Sequence, residues 1–465
     1  MDIAHRGWYA RSPLLFQNMA VAAAGIVSKV VRGGTEYRRL LHEYEGNQWR
    51  TAREYKDAQD SELRRLIRHC YEHVPFYQKV MRERALTPKD FGGIEDLPKL
   101  PFLTKDIVRA HGPELLRSDR GAFGTVRAFT SGSTGKPLTL VRDMRCVIAE
   151  QAAIRRHWHL AGFPVGGRRV TLRGDATVPM GQTRPPYWRH NPAEKQIFMS
   201  SFHLSRATVP HYVSALQRFQ PDALQAYPSS AYFLAKTMLE LDLKVVIPFI
   251  FTGSEPVYPR QRAVIEEAFS GKLFDLYGCA ERVVLAMECR EHSGRHNIPE
   301  NGIIELVEPE GPHAEGMYEI VGTGLTNYAM PLLRYRTGDL TDPLVMECAC
   351  GRSMPKILRV EKREGDMIVT PDGRHLAFSG LTHAFMGLKG IERSQIIQDA
   401  MDHVTVRIVP AGDYADGDGT KAVTRLSEYF GEGLRIDLEL VDGIECEPSG
   451  KYRWIVSRIN PADWE

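Results

Sequence analysis

Val245-Val-Ile-Pro-Phe-Ile-Phe251, continuing through Thr252-Gly-Ser-Glu-Pro256 into Arg260 to Phe269, reads as strand, turn and helix. A short unbroken apolar run that ends in Gly and Pro suits a strand covered on both faces. The alternation recurs upstream. Val170-Thr-Leu172 reads as a strand, and Pro210 to Phe219 reads as a helix with proline at its first position, where no backbone donor is needed. Strands alternating with helices predict an α/β fold around a mostly parallel sheet. Gly253-Ser-Glu-Pro256 then falls at the carboxyl end of a strand, where open α/β sheets collect ligands.

The flanking regions differ in character. The first hundred residues read as helical: Leu63, Leu66, Ile67 and Cys70 recur at helical spacing until Pro75. Residues 303 to 340 switch to closely spaced strands, among them Ile303-Ile-Glu-Leu-Val307 and Met317-Tyr-Glu-Ile-Val321. The last hundred residues read as a small α+β unit, with strands at His403 to Val409 and Leu434 to Val441 around a helix at Thr420 to Tyr429. A charged, Gly-containing segment at Arg363 to Asp366 marks the boundary. The expectation is a large N-terminal domain, 1–362, of several subdomains with mixed and parallel sheets, and a small α+β domain, 363–465.

Composition narrows the class. The 465 residues are 43% hydrophobic and 25% charged, which is ordinary for a globular protein and unlike a disordered one. Sixty Lys plus Arg against 58 Asp plus Glu leave a formal +2, so charge-driven nucleic-acid binding is not expected. Seven Cys are too few for a disulfide framework and suit a reducing, cytoplasmic compartment. Leu14 to Val31 is apolar but interrupted by Gln17, Asn18, Ser28 and Lys29. It falls short of the roughly 20 apolar residues of a membrane span and reads as a packed or surface-lying helix, with peripheral membrane contact as the lesser alternative. A homodimer is compatible with the size. No Gly-x-Ser-x-Gly elbow, His-Glu-x-x-His helix or dinucleotide Gly-x-Gly-x-x-Gly occurs, which removes hydrolase, metalloprotease and dehydrogenase readings.

The chemistry concentrates first in Phe129-Thr-Ser-Gly-Ser-Thr-Gly-Lys-Pro137. Thr130, Ser131, Ser133 and Thr134 supply hydroxyls, Gly132 and Gly135 allow close backbone approach, and Lys136 supplies a cation, a set that can cradle phosphate. The glycine spacing and Pro137 distinguish it from a Walker loop. A plain surface turn is the competing reading.

Three further segments follow in order: Tyr277-Gly-Cys-Ala-Glu281, Tyr335-Arg-Thr-Gly-Asp339 and Pro448-Ser-Gly-Lys451. Together with Thr130 to Lys136 they resemble the phosphate loop, the aromatic-Gly-x-x-Glu, Tyr-x-x-Gly-Asp and Gly-Lys motifs of the adenylate-forming superfamily of acyl-CoA synthetases, adenylation domains and luciferases. His73-Val-Pro-Phe-Tyr77, Leu100-Pro-Phe-Leu-Thr-Lys105, Tyr227-Pro-Ser-Ser230 and Cys350-Gly-Arg352 further resemble the phenylacetate-CoA ligase branch, notably its members of capsular-polysaccharide or coenzyme F390 synthetase type.

The resemblance implies an ATP-dependent carboxylate-activating enzyme that forms an acyl-adenylate and transfers the acyl group to a thiol, coenzyme A foremost. An amine or carrier-protein acceptor, or a non-catalytic nucleotide-binding scaffold, are the alternatives. Glu281 would hold Mg²⁺, whose preference is for hard oxygen donors. Asp339 would accept the ribose hydroxyls, and Lys136 and Lys451 would meet the phosphates. Ser254, Glu255 and Pro256 would border the adenine. Tyr277, beside Gly278, would lie against the base unless it is simply core, and Asp275 is a further nucleotide contact by proximity. Arg363 matches a Gly-Arg element at the domain junction, although Lys362 stands where Gly is usual. Ser201-Phe-His-Leu204, Ala226-Tyr-Pro-Ser229 and Cys279 are expected acyl-pocket walls.

A second constellation is metal-like. Cys289, Cys348 and Cys350 with one histidine would make a closed tetrahedral S₃N site suited to structural Zn²⁺. His296 matches a histidine of the resembled branch, and His292, at Cys-x-x-His spacing, competes. Three unrelated buried thiols are the alternative.

Overall fold

The computed structural model describes residues 7–119, 124–129, 138–175, 177–309, 316–361, 367–377, 381–385, 388, 390–412, 414–431, 433–444 and 454–459. Thr130 to Pro137, Arg363, Asp366 and Lys451 lie outside the described residues.

A nine-stranded sheet organises the large part of the chain. Its strands run across in the order Lys356–Ile357, Arg295–Asn297, Leu285–Glu288, Lys272–Gly278, Phe249–Gly253, Ala223–Ala226, Arg169–Arg173, Gln196–Ser200 and Trp188–Asn191. The five strands from Lys272–Gly278 to Gln196–Ser200 are parallel, and the edges are antiparallel. The helices Val209–Phe219, Pro228–Glu240 and Pro259–Phe269 alternate with these strands as the sequence pattern predicts. The strand expected from Val245 begins only at Phe249. Pro248 has no N–H to give a ladder, and its carbonyl accepts from Lys272 N at 2.9 Å as the pairing starts.

Strand order reverses at the centre. From Arg169–Arg173 the chain moves to Gln196–Ser200 on one side, then crosses to Ala223–Ala226 on the other and continues outward. Connections leave these two central neighbours in opposite directions, which opens a crevice beyond their carboxyl ends.

A second, antiparallel sheet of Gly302–Val307, Tyr318–Gly324, Tyr335–Thr341 and Val360–Glu361 accounts for the closely spaced strands of 303 to 340. The N-terminal helices brace it. Pro75 ends one helix, Ala52–His73, and opens the next, Pro75–Glu83. Buried Tyr77 donates to the Pro331 carbonyl at 3.1 Å and accepts from Leu333 N at 2.9 Å. Leu103 N donates to the Arg334 carbonyl and Arg336 N to the Leu103 carbonyl, each at 2.9 Å. The guanidinium carbons of Arg334 and Arg336 lie 4.1 and 5.4 Å from the centre of the Phe102 ring. The His73–Tyr77 and Leu100–Lys105 segments therefore clamp the strand that carries Asp339.

The C-terminal part has its own core, in which Ile396, Val404, Val406, Leu426, Phe430 and Ile455 are fully buried. Its sheet orders Arg435–Leu440, His403–Pro410, Ile391–Ala400 and Ile455–Ser457, with helix Asp416–Phe430 alongside. The Ile391–Ala400 strand was not apparent from the sequence, because Arg393, Ser394 and Gln395 break its apolar run.

Tyr77→Phe leaves a buried N–H and carbonyl of the 331–333 segment without their partner. It should destabilise the protein by about 1–3 kcal/mol. A lowered chemical-denaturation midpoint with an unchanged slope is the expected reading.

Candidate active site

The two acidic motifs hold each other. Tyr335 donates its hydroxyl to Glu281 Oε1 at 2.6 Å, and Tyr277 donates to Asp339 Oδ2 at 2.8 Å. The tyrosine of each motif thus fixes the carboxylate of the other, joining the turn after Lys272–Gly278 to the strand Tyr335–Thr341. Both rings are buried, and burial pushes both phenols well above their ordinary pKa, so they remain protonated donors. Among the described residues, these bonds engage one oxygen of each carboxylate. Gly338, at φ +76°, donates its N–H to Glu319 Oε1 at 3.1 Å and turns the chain just before Asp339. The Tyr277 ring belongs to the main core beside Val283, Val284 and Tyr335. Of the two sequence readings for Tyr277, the geometry supports core packing, with its hydroxyl anchoring Asp339.

The phosphate-loop candidate lies between two described strands. Thr125–Phe129 and Thr139–Asp143 form an antiparallel pair with Phe129 opposite Thr139. Leu138 and Leu140 enter the same core as Tyr277 and Tyr335. Arg142, on the outgoing strand, donates to the Ala280 carbonyl, one residue before Glu281. The root of the hydroxyl-rich segment is therefore tied to the Glu281 turn.

The Gly253-Ser-Glu-Pro256 turn occupies the strand end predicted for it. Ser254 adopts φ +75°, a costly conformation for a residue with a Cβ. Its hydroxyl accepts from Arg173 Nη2 at 2.9 Å, and the Arg173 guanidinium lies 5.0 Å from the Tyr227 ring centre. Buried Glu255 accepts from Ser229 N at 3.0 Å, placing a carboxylate at the N-terminus of helix Pro228–Glu240. Asp275 differs from the sequence expectation. It is 3% exposed, and its two oxygens accept from Thr252 Oγ1 and Arg295 Nε, each at 2.8 Å. Its carboxylate ties neighbouring strands together instead of presenting itself to a ligand. Burial raises its pKa against the opposing pull of Arg295.

A small cleft, with a volume of about 40 Å³ and partly open to solvent, lies at the central switch of the large sheet. Gly174, Ser201, Phe202, Tyr227, Ser229 and Glu255 line it from the large part; Arg374, Leu376, Leu381 and Tyr429 close it from the C-terminal part. Phe202 and Tyr429 meet edge to face at 4.7 Å. The expected walls Ser201, Phe202, Leu204, Tyr227 and Ser229 are among the lining residues, whereas His203, Ala226, Pro228 and Cys279 are not. Arg173 and Arg374 were missed. The only sequence signal for Arg173 was its place at a strand end, and Arg374 depends on how two parts of the chain meet.

The metal-like constellation converges. One ligand atom each from Cys289, His296, Cys348 and Cys350 lies within 4.8 Å of the others. Cys289 Sγ is 3.8 Å from Cys348 Sγ, and Cys350 Sγ is 3.4 Å from His296 Nε2. His296 Nδ1 is 3.0 Å from the Met354 carbonyl; donation there leaves Nε2 as the electron-pair donor. His292, the competing ligand, is outside the group; its ring packs on Phe274 and its Nδ1 is 3.5 Å from Glu288.

Comparison with known proteins agrees with this architecture. Residues 368–458 match the family model described as the CapK C-terminal domain. CapK of Staphylococcus aureus is 24% identical over 458 residues, covering 97% of this chain and 99% of that protein. A phenylacetate-coenzyme A ligase of Thermus thermophilus is 31% identical over 324 residues, covering 67% of this chain and 71% of that protein. Among solved structures, 2-hydroxyisobutyryl-CoA ligase in complex with 2-HIB-AMP and CoA superposes with TM-score 0.60 at 21% identity, covering 88% of this chain and 91% of that one. The fold and site define an adenylate-forming enzyme of the acid–thiol ligase type. The chain belongs to the phenylacetate-CoA ligase family.

Removing the cation from the buried Asp275–Arg295 pair strands its carboxylate. Arg295→Met should cost about 3–5 kcal/mol of stability. A thermal midpoint equal to wild type would show that Asp275 is not held in this way.

Proposed function

We propose that the protein activates an apolar carboxylic acid with ATP and transfers it to the thiol of coenzyme A. The observation that supports this most is the reciprocal tyrosine–carboxylate pair. It sets the two acids that the motif logic assigns to metal and ribose on adjoining elements, and a strand flanking the phosphate-loop candidate in sequence is tied to the turn that carries one of them.

In the first half-reaction an oxygen of the substrate carboxylate attacks the α-phosphorus. The bond to the bridging oxygen of the β-phosphate breaks, pyrophosphate leaves, and an acyl-adenylate remains. Asp339 accepts from the ribose hydroxyls and sets the nucleotide's register. Lys136 and the hydroxyls of Thr130 to Thr134 neutralise the leaving phosphates, and Lys451 meets charge building at the α-phosphate. Glu281, a carboxylate with one oxygen already fixed by Tyr335, would hold Mg²⁺, which would supply charge neutralisation for the phosphates. Ser254, Glu255 and Pro256 border the base, and Asp275 supports that wall from behind. In the second half-reaction the thiol sulfur attacks the acyl carbon, the thiol proton passes to solvent and AMP leaves. Arg363 and Asp366, at the junction of the two domains, would serve the rotation that withdraws Lys451 between the half-reactions.

Phe202, Leu204, Phe233, Leu376, Leu381 and Tyr429 give the cleft an apolar lining, which favours an aromatic or aliphatic acyl group over a sugar acid. Zn²⁺ fits Cys289, His296, Cys348 and Cys350, with four protein donors and a histidine oriented by a carbonyl. It would pin the edge strand Arg295–Asn297 and the turn that follows Leu285–Glu288 to the loop bearing Cys348 and Cys350.

Carboxylate-dependent exchange of labelled pyrophosphate into ATP tests the adenylation half. Glu281→Gln and Lys451→Ala should each lower exchange about a hundredfold or more while the far-ultraviolet circular dichroism stays the same. Exchange at the wild-type rate in both variants would contradict the assignment. With coenzyme A added, the product should be a thioester; a product formed only with an amine or a carrier protein would move the acceptor to that class. Elemental analysis should find about one zinc per chain. Cys350→Ser should lose it and lower the thermal midpoint, and a metal-free wild-type protein of equal stability would contradict the zinc reading.

A further inference from the structure

Helix Leu14–Gly33 does not bury its widest apolar face. A helix on a water-soluble protein turns its apolar stripe inward and its polar face to solvent. Here Gln17 and Asn18 turn toward the protein beside buried Val21, and Lys29 is exposed. Gln17 is 5% exposed; it donates to the Ser12 carbonyl at 2.8 Å and accepts from Arg189 Nε at 2.8 Å. Asn18 Oδ1 accepts from His190 N at 3.1 Å, satisfying an N–H on the edge strand Trp188–Asn191 of the nine-stranded sheet. Gly25 sits so close to Asn191 that a Cβ would fall 2.0 Å from its side-chain oxygen. These contacts fix the rotation of the helix about its axis.

The opposite face is apolar and open. Leu15, Phe16, Met19, Ile26, Val27 and Val30 recur at helical spacing along one side, each more than half exposed, from 56% at Ile26 to 69% at Val30. Trp8, just upstream, is 58% exposed. A contiguous stripe of this kind is uncommon on a soluble surface and marks a contact. Gly7 to Gly34 contains Arg11, Lys29 and Arg32 and no Asp or Glu.

We infer that this stripe docks the protein on an anionic lipid surface, lying in the headgroup region parallel to the bilayer. Among the described residues no single helix is long and apolar enough to cross a membrane, which fits surface attachment. The charge pattern selects lipid over a second copy of the chain. A two-fold pairing of this segment would set cations against cations with no carboxylate of its own to answer them, whereas anionic headgroups answer them directly. The segment that carries the stripe also reaches the cleft lining through a buried residue. Tyr9, within the same segment, packs against Phe202, which lines that cleft, and donates to the Thr177 carbonyl at 2.6 Å.

The test uses the full-length protein with phosphatidylcholine vesicles, with and without about one-third phosphatidylglycerol. Wild type should sediment with the anionic vesicles, and high salt should weaken the association. The triple variant Phe16→Gln, Val27→Gln and Val30→Gln changes only exposed positions, so it should melt at the wild-type temperature. Its partition coefficient should fall at least about tenfold. Wild type remaining in the supernatant with both vesicle types would overturn the inference, as would unaltered sedimentation of the triple variant. A lipid-free wild-type dimer that the triple variant converts to monomer, without vesicle binding, would assign the stripe to self-association instead.

Discussion

Two hydrogen bonds, Tyr335 to Glu281 and Tyr277 to Asp339, are the constraint on which the site depends. A carboxylate proposed to hold a cation or a ribose must be ordered before the ligand arrives, or binding has to supply the cost of ordering it. A phenol buried in core meets that need. Its ring is fixed by packing, and its hydroxyl fixes one carboxylate oxygen while the other stays available among the described residues. Because each tyrosine serves the acid of the other motif, neither acid can move without disturbing both elements.

Much of the remaining architecture supports that pair. The N-terminal helices anchor the 331–333 segment through Tyr77, and the Phe102 ring packs against Arg334 and Arg336, so the start of the strand bearing Asp339 is held in place. Asp275 and Arg295 lock the strand that leads into Tyr277 to its neighbours. The Cys289–His296–Cys348–Cys350 cluster lies farther along the same sheet edge. The segments that resemble the phenylacetate-CoA ligase branch are thus mostly braces, which explains why they lie far from the motifs in sequence and close to them in space.

The fold class was legible because its signals are local. Strand and helix periodicities, with Pro at helix starts, gave the parallel core, and the order of four motifs gave the class of site. What depended on tertiary contact was not legible. Whether Tyr277 met a ligand or the core turned on its packing against Val283 and Tyr335. Asp275 looked available until Arg295, twenty residues later in sequence, was seen to pair with it. Spacing favoured His292 and the resemblance favoured His296, and it is the convergence of His296 with the three thiols that separates them. The N-terminal helix reads from sequence as packed or surface-lying, but which of its sides meets the protein could not be foreseen, because it depends on where Arg189 and His190 approach Gln17 and Asn18.

Equilibrium binding of ATP with magnesium to the double variant Tyr277→Phe, Tyr335→Phe addresses the central claim most directly. Both rings keep their packing, and only the two hydroxyls are removed. The account predicts at least about a tenfold loss of affinity, the scale of a hydrogen bond to a charged group, with the tertiary circular dichroism of the wild type retained. Wild-type affinity in a folded double variant would show that the two carboxylates do not depend on the phenols for their placement, and the account would fail there.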